Sequence, residues 1–122
     1  MKYMLLIYGN QQTWDLLEER GYGDLMKRHV ALGEELTASG ELVGSGGLTV
    51  DGARTVRVRD GEAAITDGPY AEAKEVLAGY YLVECDSLER VTDIARRIPE
   101  AELNLVEVRQ LIDPRAEYGD GS

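Results

Sequence analysis

The stretch Thr66-Asp67-Gly68-Pro69-Tyr70-Ala71-Glu72-Ala73-Lys74-Glu75 runs without a pause into Val76-Leu77-Ala78-Gly79-Tyr80-Tyr81-Leu82-Val83-Glu84. Its first half is a constrained turn. Gly68 opens backbone conformations closed to other residues, and Pro69 fixes its own φ and donates no hydrogen bond. The residue before a proline is pushed out of the helical region. Its second half, Leu77 to Cys85, reads as a long apolar strand. Tyr80 and Tyr81 are adjacent, so they point to opposite faces of the sheet, one toward helices and the other toward a pocket or a second copy. The charged residues Asp67, Glu72, Lys74 and Glu75 crowd the turn before this strand. They suit a polar rim over a pocket, although mixed charges near a loop are usually solvated and weakly paired.

Working outward, residues 2–8 are rich in β-formers and stop at the turn signal Gly9-Asn10. Thr13 can cap a helix, with Asp15 favourable near its start, and Gly21-Tyr22-Gly23 breaks that helix. Asp24 restarts one. From it Leu25, His29, Leu32 and Leu36 recur on one face, widened by Met26, Val30 and Gly33, until Gly40 ends it. Glu41 to Val50 reads as a glycine-rich strand with bulges at Gly44, Gly46 and Gly47. Asp51-Gly52 and Asp60-Gly61 are hairpin turns around Thr55-Val56-Arg57-Val58-Arg59, which alternates and is expected to be half-buried. A short strand through Ala64-Ile65-Thr66 follows. Ser87 caps a helix with Leu88, Val91, Ile94, Ala95 and Ile98 on its apolar face, and Pro99 stops it. Leu103 to Ile112 is the last strand.

This order is the ferredoxin-like split β-α-β plan of an α+β protein, with a β-hairpin inserted and an antiparallel sheet. Residues 1–112 form one domain and 113–122 a polar tail. Helices can cover only one face of the sheet, yet its strands carry apolar residues on both. The expected remedy is a homodimer packed sheet to sheet about a two-fold axis.

Composition narrows the function. The net charge of −10 repels phosphate backbones, and no basic stripe offsets it, so nucleic acid is not an expected partner. No apolar run is long enough for a membrane span. The apolar start is too short for a signal peptide, and no small-residue cleavage site follows, which points to a cytoplasmic protein. The single Cys85 cannot form an internal disulfide, in keeping with a reducing compartment. One His and one Cys far apart do not make a zinc site, Gly44-Ser45-Gly46-Gly47 lacks the lysine of a phosphate loop, and no cofactor motif is visible. No cofactor and no metal are expected.

The candidate catalytic residues are His29 and Asp67. His29 is the only histidine and lies on the apolar stripe of its helix, where a proton-transfer group or a satisfied buried histidine are about equally expected. Asp67 is held by the turn, as a proton-transfer partner or as an Asx turn bonded to nearby backbone. Gly68, Pro69, Tyr70, Glu72, Lys74 and Tyr81 are the candidate pocket residues, with Lys74 available to an anionic group.

Thr66 to Glu84 closely resembles the signature of the YCII-related proteins of the DGPF type, a bacterial family, with Tyr70 where the family has phenylalanine. Met1 to Tyr8, Glu34 to Leu42 and Val106 to Arg109 look like its first strand, helix-end motif and last strand. The resemblance implies a dimeric α/β barrel of ferredoxin-like protomers. In the broader group a histidine and an aspartate are thought to form an active site; His29 resembles that histidine, and Asp67 is the candidate acid. Many DGPF-type members lack the histidine. Genes of this type often stand beside extracytoplasmic-function sigma factors. The resemblance therefore implies either an enzyme of proton-transfer or lyase type acting on an unknown small molecule, or a non-catalytic ligand-sensing module associated with a sigma factor.

Overall fold

The computed structural model describes residues 1–69 and 74–115. The elements are β1 (Lys2–Gly9), α1 (Gln11–Arg20), α2 (Gly23–Ala38), β2 (Leu42–Gly47), β3 (Arg54–Arg59), β4 (Glu62–Asp67), β5 (Val76–Glu84), α3 (Leu88–Arg96), α4 (Glu100–Leu103) and β6 (Leu105–Gln110). Four strands pair antiparallel in the order β2-β5-β1-β6, while β3 and β4 pair only with each other. This is the ferredoxin-like α+β arrangement, with β3–β4 as the inserted hairpin.

Period-two alternation decides which face is covered. Tyr3, Leu5 and Ile7 of β1 lie beside Tyr81 and Val83 of β5, and all five are buried with Leu32 and Leu36 of α2 and Val91, Ile94 and Ala95 of α3. The alternate residues Met4, Leu6, Tyr80 and Leu82 are only half-buried on the open face. Burying an aliphatic side chain fully stabilises the fold by about 1.5–3 kcal/mol, so the covered face carries most of the stability.

Charge clamps fix α3. Arg90 donates to Glu41 at 2.7 and 2.9 Å, and Arg97 of α3's C-terminus pairs with Glu35 of α2. Ser87 caps α3 by accepting from the Arg90 amide at 3.1 Å, as its sequence predicts. Gly79 of β5 allows a close approach. A Cβ there would stand 3.0 Å from the Gly46 carbonyl oxygen of β2 and 3.6 Å from Ile7 Cδ1.

Several local expectations are corrected. The cap of α1 is Asn10, not Thr13: Asn10 accepts from the Thr13 amide at 3.0 Å, and Thr13 answers from the third helical position. The β3–β4 strands are not half-buried; Val56, Val58 and Ile65 are 58%, 65% and 61% exposed. Their alternation describes a ribbon, and among the described residues no third strand joins its sheet. Leu88 and Val30, expected on apolar faces, are also exposed. Pro99 does more than stop α3, because it opens the short helix α4. The bulge in β2 falls at Val43, between Leu42 and Gly44.

Candidate functional site

A cavity of 410 Å³ lies between α2 and the β2–β5–β1 part of the sheet. Part of its floor is bare backbone, because Gly46, Gly47 and Gly79 meet there beside Ser45 and Ala78. A Cβ on Gly33 of α2 or on Gly47 would touch nothing within 4 Å, so glycine at these positions leaves room that a larger residue would fill. Leu25, Met26, Val30 and Ile7 make the wall apolar.

Three polar side chains converge on one side of this space. The Nδ1 of His29 is 2.7 Å from the Tyr81 hydroxyl, and its Nε2 is 2.9 Å from Glu100 Oε2 and 2.7 Å from Oε1. The rings of His29 and Tyr81 stack with centroids 5.8 Å apart. His29 comes from α2, Tyr81 from the covered face of β5, and Glu100 from the first position of α4. All three are well shielded, with side chains of His29 and Glu100 17% and 15% exposed and Tyr81 4% exposed overall. A second tie keeps α4 against α2, since Arg28 donates to Glu102 at 2.9 and 3.1 Å.

Electrostatics follow from this packing. Burial, with the nearby Glu100 charge adding to it, pushes the Tyr81 phenol up to about 12, so it keeps its proton at neutral pH. Oε2 is the aligned acceptor of Glu100, and the buried Oε1 has no donor of its own among the described residues. The lining contains no lysine or arginine. Among the described residues no group of three or more His, Cys, Asp or Glu is placed to hold a metal ion. No helix of the described residues is long and apolar enough to cross a membrane.

The family model of the YCII-related domain matches residues 1–115. The chain belongs to the YCII-related family. It is also 31% identical over 102 residues to an uncharacterised protein of Rhizobium meliloti (strain 1021), covering 83% of this chain and 82% of that protein.

In this YCII-related protein the expected residues separate into two places. His29 and Tyr81 meet at the cavity. Asp67 ends β4, its side chain 93% exposed, with Arg54 across the hairpin at 3.7 Å. It makes no pair with His29, whose two ring nitrogens are taken by Tyr81 and Glu100. Gly68 and Pro69 follow it in the turn, where Gly68 donates to the Ala53 carbonyl at 2.6 Å, and they stand outside the cavity lining. Lys74 is exposed and also outside the lining. Tyr70 and Glu72 lie outside the described residues. Glu75 of the same motif is tied to Asn104 at 2.7 Å and to Asn10 at 3.3 Å, which anchors the entry to β5.

Glu100 is the residue that sequence reasoning missed. Its signal was Pro99-Glu100-Ala101-Glu102, a proline followed by acidic residues, which is how a new helix starts as well as how an old one stops.

Proposed function

We propose that this YCII-related protein binds an uncharged small molecule in the α2–sheet cavity and moves a proton on it, with His29 as the base. The observation that carries this is the placement of the only histidine at a cavity wall, between a carboxylate and a phenol. A base oriented by a carboxylate through its far nitrogen is the arrangement that proton-transfer sites use. The supporting acid is Glu100, in place of the Asp67 that the sequence suggests. The reaction class is proton abstraction or a lyase step begun by it.

The test has two stages. A fragment library is screened by ligand-detected NMR against the wild type and Gly33→Leu, whose added side chain enters the cavity. Fragments bound by the first and not the second occupy the site. Their hydrogen exchange with deuterated solvent is then followed. The expected result is exchange catalysed by the wild type and lost in His29→Gln; binding indifferent to Gly33→Leu overturns the reading.

A second reading, a non-catalytic regulatory module, is favoured by the hairpin. Its exposed Val56, Val58 and Ile65 form an apolar face on one side of a ribbon. A sigma-factor partner would be retained on immobilised His29→Gln and lost with Val56→Lys. The open face of the main sheet supports the homodimer.

A further inference from the structure

The geometry that joins Tyr81, His29 and Glu100 contains more than a base. Where Glu100 is ionised it is an acceptor only, so the ring presents its N–H at Nε2. In the neutral ring Nδ1 is then bare, and at 2.7 Å the Tyr81 hydroxyl donates to it. That direction leaves the lone pairs of the Tyr81 oxygen, and not its hydrogen, for anything in the cavity. The imidazole nitrogens are both engaged, so a ligand meets the phenol before it meets the base. We propose that Tyr81 is the group that exchanges a proton with the ligand, and that the ligand is a flat, uncharged weak acid whose O–H donates to the Tyr81 oxygen, that is, a phenol or an enol.

This inference rests on the cavity reading above and adds the ligand class and the residue that touches it. Flatness follows from the floor. Gly46, Gly47 and Gly79 present bare backbone to the space, while Leu25 and the more exposed Met26 and Val30 flank it from the helix side, which leaves a slot suited to a ring. The absence of charge follows from the lining. It offers no lysine or arginine to an anion, and the one carboxylate, Glu100, is committed to His29 with its second oxygen buried. The step balances within the site. The ligand's proton passes to the Tyr81 oxygen as the Tyr81 proton passes to His29 Nδ1. The ring becomes an imidazolium facing the Glu100 carboxylate, and the ligand anion accepts from the Tyr81 hydroxyl. No electron leaves or enters. Glu100 acts as a positioning residue, since it fixes the tautomer that leaves Nδ1 free to accept.

The test uses 4-nitrophenol, whose anion is coloured, and 4-nitroanisole, which has the same ring but no O–H. Both are titrated into the full-length protein at a pH where free nitrophenol is mostly uncharged. The expected result is at least about tenfold tighter binding of nitrophenol than of the anisole, the size of one well-placed hydrogen bond. Bound nitrophenol is expected to turn coloured. Tyr81→Phe should bring the two probes to equal affinity, and His29→Gln should abolish the colour. Equal binding of the two probes by the wild type overturns the inference without recourse to any variant. So does nitrophenol binding that Tyr81→Phe does not weaken, or that stays colourless. If His29-dependent solvent exchange of cavity fragments persists in Tyr81→Phe, the proton-transfer reading stands and the role given to Tyr81 falls. If neither probe binds, the ligand class falls, and the fragment screen against Gly33→Leu decides the cavity reading separately.

Discussion

Glu100 decides what His29 can do. A histidine with two satisfied nitrogens and little exposure is ordinarily a structural residue, and here its partners also line a cavity. The pair has a measurable signature. Removing one member of a shielded hydrogen-bonded pair leaves the other without a partner, at a cost of about 1–3 kcal/mol, whereas replacing both with apolar residues is often close to neutral. His29→Leu is therefore expected to lower urea-unfolding stability by about 2 kcal/mol. The double variant His29→Leu/Glu100→Leu should recover most of that loss. A double variant at least as unstable as the sum of the singles would show that the two side chains are not coupled. The stability recovered in the double variant would come with loss of the proposed proton transfer, which separates a site kept for function from one kept for folding.

At the scale of elements, α3 is held by charge as well as by its apolar face. The Arg90 guanidinium bonded to Glu41 lowers that carboxyl from 4.5 to about 2, with the Ser39 hydroxyl at 2.8 Å assisting. A depressed carboxylate stabilises the fold above its unfolded pKa and loses that contribution as pH falls toward the folded value. Glu41→Gln is thus expected to cost about 1 kcal/mol at pH 7, solvent screening at the half-exposed Arg90 having reduced the pair's worth. The gap from the wild type should shrink below pH 4.5 and close near pH 2, the range set by the shift itself. Unfolding curves across that range check it, and a gap that stays constant with pH removes the ion pair as its cause. The strands and helices behind this clamp were legible because their signals are local. Alternation in residues 2–8 and 77–85, the Ser87 cap and the Asp60-Gly61 turn, both of whose residues have positive φ, depend on neighbours a few positions away. The candidate site was legible only by half. His29 and Tyr81 show in the sequence by residue type and by the stripe each occupies. Glu100 takes its meaning from a contact 71 residues away, which no spacing encodes. Asp67 sits in a rigid turn, but rigidity fixes a side chain without saying what it faces, here solvent and Arg54. The exposure of β3–β4 was hidden for the same reason, since alternation records a ribbon's two faces and not whether anything covers them.

The whole molecule has one finished face and one open one. The core helices α2 and α3 lie on the side of Leu5 and Val83, and the reverse side carries Met4 paired with Leu82 and Leu6 paired with Tyr80, all half-buried. An antiparallel sheet can present one face to water, but such a face is normally polar. A second copy placed sheet to sheet would bury these residues and satisfy the two-fold symmetry common to small homo-oligomers. The charge of −10 opposes that association, since each copy repels the other. Added salt screens the repulsion, so a dimer held by apolar contact should tighten as ionic strength rises. Sedimentation velocity on the wild type is therefore expected to show twice the chain mass, with dissociation favoured at low salt. Leu82→Glu, which sets a charge at the middle of the open face without touching the helix-covered core, should give a folded monomer. A wild type that sediments as a monomer at every salt concentration would mean that the open face meets water or another partner. A Leu82→Glu dimer would place the contact elsewhere, with the exposed hairpin face of Val56, Val58 and Ile65 as the next surface to alter.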